Sequence, residues 1–72
     1  MSDFEYELLG LWDQLRAVRE SGALGDYRRI RSEIVALEPI AQALDEGDSD
    51  ELRARMLYSY LRAASAPLRR HR

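Results

Sequence analysis

Apolar residues recur along this chain with the three-and-four spacing of helix faces, in three segments separated by short polar stretches. Phe4, Leu8, Leu11, Leu15 and Val18 fall on one stripe of a helix that turns about 100° per residue. Ser2-Asp3-Phe4-Glu5 has the S-x-x-E form of a capping box, in which the serine hydroxyl accepts from the N3 amide and the glutamate reaches back to the cap amide. A first helix is therefore predicted from the N-terminus. Glu5 and Glu7 at its start and Arg16 and Arg19 near its end complement the helix dipole. Gly22 closes it, because glycine enters the left-handed conformation without a Cβ clash.

Gly22-Ala23-Leu24-Gly25 is short enough to reverse the chain, and Asp26 is predicted to cap the next helix. Tyr27, Ile30, Ile34, Leu37, Ala41 and Leu44 repeat the same period, so this second stripe is expected to face the first in an antiparallel helical hairpin. Pro39 lacks an amide proton and crowds the Val35 carbonyl, which predicts a kink or brief break near Glu38. The acidic run from Asp45 to Glu51 reads as a linker around Gly47, with Asp48 or Ser49 as the N-cap of a third helix. In that helix Leu52, Met56, Tyr60, Ala63 and Ala64 lie on one side, and Leu57 and Leu61 carry the apolar surface further round. Such a helix is expected to touch more than one neighbour. Glu51 and Arg55 are spaced for an i,i+4 pair, and Pro67 ends the segment.

These patterns predict an all-α fold: a helical hairpin plus a third helix in a three-helix bundle. Residues 1–66 form one helical domain and residues 67–72 a basic tail. At 72 residues, with 24 apolar residues larger than alanine, the core is small enough to gain from completion by dimerisation. No cysteine is present and His71 is the lone imidazole, so neither disulfides nor zinc are available as staples.

Charge adds an asymmetry. The formal net charge of −2 combines 13 acids with 11 arginines, of which Arg69, Arg70 and Arg72 crowd the last four positions. All the basic residues are arginine and none is lysine, a bias that points to a GC-rich bacterial or phage genome. The longest apolar runs reach four residues, so no membrane span is expected, and the acidic start is unlike a secretory signal. A cytoplasmic location follows as the expectation.

Candidate chemistry is sparse. The acidic run lacks calcium-loop spacing, since Gly47 precedes Asp48 and position twelve from Asp45 is Met56. His71 has no sequence-near carboxylate or thiol to orient it, and Ser2, Ser21, Ser32, Ser49 and Ser65 sit at caps, helix ends or polar faces. No glycine-rich phosphate loop is present. The chain is accordingly expected not to be an enzyme, and no cofactor, metal or small-molecule substrate is expected.

The first helix carries a secondary face outside its main stripe, Glu5, Leu9, Trp12 and Arg16, and tryptophan and arginine are enriched at binding hot spots. With Leu57 and Leu61 of the third helix, Leu9, Trp12 and Arg16 are the expected protein-interface residues. Gly10 and Ala17 mark another face, where a mid-helix glycine suggests a close helix crossing. The expected function is a non-catalytic protein–protein interaction module or small regulatory protein acting through helix faces, self-associating as a homodimer. The alternative is a nucleic-acid-associated regulator that uses Arg69, Arg70 and Arg72 on phosphates.

Overall fold

Helix α1 (Asp3–Ser21) stops where Gly22 takes a φ of +73°, the left-handed conformation expected of it. Its amide donates to the Val18 carbonyl at 2.8 Å, and the Ser21 hydroxyl also donates to that carbonyl at 3.1 Å. Because this reversal is completed at once, Leu24 and Gly25 are taken into the next helix rather than left in the turn. Helix α2 (Leu24–Ala36) thus starts earlier than its sequence suggested. Ala23 is the N-cap and makes no side-chain cap bond, so Asp26 stands in the first turn, where its charge suits the dipole, and not at the cap.

The computed structural model describes residues 3 to 66. Within them the protein is all-α, and α3 (Glu38–Gln42) and α4 (Ser49–Ala64) complete the order. Ser2 of the expected capping box, and the tail from Pro67 onward, lie outside the described residues.

The break at Pro39 falls where its missing amide predicts. Leu37 stands between α2 and α3 with φ −84° and ψ −3°, and its amide donates to the Ile34 carbonyl at 3.1 Å. Pro39 lies in the first turn of α3, where a missing N–H costs nothing. At α4 the cap is Asp48, whose carboxylate accepts from the amides of Asp50 at 2.9 Å and Glu51 at 3.2 Å. The expected Glu51–Arg55 pair does not form. Glu51 instead accepts from the Asp45 amide at 3.2 Å, and Arg55 bonds Glu46. Both bonds fasten the linker onto α4, and an exposed pair within the helix contributes only about 0.2–0.5 kcal/mol, so little is lost by its absence.

Helices α1, α2 and α4 each touch the other two, and α3 touches α2 and α4. Leu8, Leu11 and Leu15 of α1, Ile30 and Ile34 of α2, Ala41 of α3, and Tyr58 and Leu61 of α4 form the buried core. The hairpin stripe read from the sequence is thus the α1–α2 half of it. Tyr27 donates from its hydroxyl to the Ala66 carbonyl at 2.9 Å, tying the start of α2 to the end of α4.

On α4 the core takes a different side from the Leu52–Met56–Tyr60 row. Ala54, Tyr58, Leu61 and Ser65 turn inward, flanked by half-buried Leu57 and Ala64. Small Ala54 and Ser65 let the helix approach closely, while the Tyr58 ring lies 6.4 Å from that of Phe4. Leu52, Met56 and Tyr60 are left 38%, 49% and 62% exposed.

Candidate functional site

The residues expected at an interface divide between core and surface. Leu61 is 0% exposed and belongs to the chain's own core, so the sequence expectation is corrected here: a partner cannot reach it. Its neighbour Leu57 and, on α1, Trp12 are half-buried and pack against that core. Leu9 remains partly exposed. Arg16 is exposed and stands 3.9 Å from Asp13, at the edge of a hollow of about 230 Å³ that it shares with Trp12 and Arg19. The nucleic-acid residues Arg69, Arg70 and Arg72 lie outside the described residues.

The row Leu52, Met56 and Tyr60, read from the sequence as one side of the third helix but not as an interface, stands on the surface. Leu52, Met56, Tyr60 and Ala63 recur at i, i+4, i+8 and i+11 and are all exposed, so α4 carries a second stripe almost opposite its core residues. Within a quarter turn of Met56 the only charged residue is Arg53, itself 3.1 Å from Asp50. No carboxylate lies on that half of the helix. The available signal was the presence of two tyrosines two residues apart, Tyr58 and Tyr60, which must point to different sides of a helix.

On α1 the exposed face has the opposite character. The half of the helix centred on Gly10 carries Asp3, Glu7, Asp13 and Glu20 and no basic residue. Between this face and α2 runs an open groove of about 560 Å³, with Gly10, Leu11, Ala36 and Leu37 along it. Glu7 and Glu33 stand on its two rims, Glu33 being 3.6 Å from Arg29.

A polar cleft of about 470 Å³ separates α3 from α4, lined by Gln42, Arg55, Ser59 and Arg62 among others. Here Arg62 bonds Glu38, and the Arg62 guanidinium is held charged beyond its ordinary range. Hydrogen bonding with Tyr58 is the main cause and the Glu38 charge adds to it, against a desolvation cost that acts the other way. Both arginines of this cleft are already engaged by carboxylates: Arg62 with Glu38 holds α3 on α4, and Arg55 with Glu46 holds the linker there.

Among the described residues no cluster of three or more histidine, cysteine or acidic side chains is placed to hold a metal ion. No helix among them is long and apolar enough to cross a membrane. Comparison with family models, with curated proteins and with solved structures finds no match to this chain.

Proposed function

We propose that this chain is a non-catalytic protein–protein interaction module, a small regulatory protein that works through its helix faces and self-associates, with a homodimer as the first assembly. In this reading α1, α2 and α4 form a three-helix bundle whose uncovered apolar surface is completed by a partner. The observation that carries the proposal is the outward stripe of α4. Three large apolar side chains in register over more than two turns cost solubility and contribute nothing to the core beneath them. The acid-only face of α1 favours a protein partner over nucleic acid, whose phosphates it repels.

Sedimentation velocity over a concentration series tests the reading, run on the parent chain and on Met56→Glu. Self-association in the parent that is lost in a still helical variant is the expected result. A parent chain that remains a monomer from micromolar to millimolar concentration overturns the self-association.

A further inference from the structure

We propose that copies of this chain join head to tail, with the α4 stripe of one copy seated on the acid-rimmed α1–α2 groove of the next. The inference rests on the self-association proposed above and specifies which surfaces meet. Its first support is complementarity of charge. The groove face carries Asp3, Glu7 and Asp13 on α1, with Glu33 of α2 on its rim beside Arg29, whereas the stripe half of α4 brings no acid to it: its one charge is Arg53, paired with Asp50, and Arg55 at its margin bonds Glu46. Pairing α1 faces with each other instead would set carboxylates against carboxylates, at a cost that like charges cannot recover in contact.

The second support is Gly10. It sits in the middle of a 19-residue helix, where glycine is unfavourable, yet a Cβ built there meets nothing within 4 Å. Nothing inside the fold requires a glycine at that position. A helix laid along the groove does gain from it, because the missing side chain lets the partner's backbone approach and its apolar side chains reach Leu11 and Leu37. Met56 suits such a position, being unbranched and able to fill an irregular floor. Leu52 and Tyr60, one turn to either side, would then cover the groove's length.

The two surfaces point away from the core in different directions. Buried Glu5, Leu8 and Leu15 lie on the far side of α1 from Gly10, as Ala54, Tyr58 and Leu61 do on α4 from Met56. Because the joint uses two different surfaces, a pair joined once keeps one free stripe and one free groove, and the contact is heterologous. Average mass should rise past that of a dimer as concentration increases, and added salt should weaken the joint.

Complementation between two variants tests this. Gly10→Leu fills the groove, and Met56→Glu puts a carboxylate on the stripe where it would face Glu7 and Glu33. Each variant alone, with helicity confirmed by circular dichroism, is expected to lose association by about a hundredfold or more. Mixed in equal amounts, they should form a one-to-one complex that grows no further, since the Met56→Glu chain still has an open groove and the Gly10→Leu chain an intact stripe. Glu7→Arg serves as a second groove variant, exposed and outside the core, and is expected to behave as Gly10→Leu does. If both groove variants associate as the parent does while Met56→Glu does not, the stripe pairs with itself. That result overturns the head-to-tail joint and leaves the self-associating module standing. Failure of the mixture to form a complex also overturns the joint, and a parent chain that never associates removes both.

Discussion

The Tyr58 hydroxyl donates to the Ile34 carbonyl at 2.6 Å, from the middle of α4 to the last turn of α2. That carbonyl lies in the turn before Pro39, at a break in the helix where backbone acceptors lose their regular partners. The bond is buried, so water does not replace it when it is removed. A single oxygen thus takes part both in the end of α2, through the Leu37 amide, and in the seating of α4.

Tyr58→Phe is therefore expected to cost about 1–3 kcal/mol, the penalty for leaving a buried acceptor with weaker satisfaction. Tyr27→Phe removes a bond of similar length to Ala66, but an exposed one that water takes over, and should cost less. Urea unfolding of the two variants side by side checks the ordering. Equal losses would show that the Ile34 contact has no special weight.

Leu11→Ala and Ile34→Ala should each lose roughly 2–5 kcal/mol, enough to unfold a domain of this size. Leu61→Glu buries a charge in the same core and is expected to abolish helicity in far-ultraviolet circular dichroism. Leu9→Glu, at a partly exposed site, should remain helical. A helical Leu61→Glu monomer would contradict the placement of α4.

Two glycine-to-alanine substitutions should act with opposite sign. At Gly22 the positive φ makes alanine costly, by about 1–2 kcal/mol. Gly10 lies in regular helix with open space above it, so alanine there should stabilise the fold by up to about 1 kcal/mol. Thermal midpoints of the two variants, one lowered and one raised, are the readout.

Removal of the α4 cap separates the two cap residues that the sequence allowed. Asp48→Ala loses both bonds to the Asp50 and Glu51 amides and should cost about 0.5–2 kcal/mol. Ser49→Ala should be close to neutral, because Ser49 is the first helical residue and not the cap. Denaturant midpoints that fall equally for both would reassign the start of the helix.

Local chemistry was enough to place most of the helices from residue types alone. Gly22, Pro39 and Asp48 act on their own backbone neighbours, through an allowed positive φ, a missing amide and a short carboxylate, and such effects do not depend on what packs above them. The stripe of Leu8, Leu11 and Leu15 against Ile30 and Ile34 was legible for a related reason: each of those helices has one dominant apolar side, so only one pairing buries both. Helix α4 has two apolar sides, and its sequence offers no local reason to prefer Leu61 over Met56. Tertiary contact made that choice: the side with small Ala54 and Ser65 is the one buried, and it brings the Tyr58 hydroxyl to the Ile34 carbonyl. The same choice moved Leu61 from expected interface to core and turned Leu52, Met56 and Tyr60 outward, because a helix packed along one side must leave the opposite side to solvent or to another molecule.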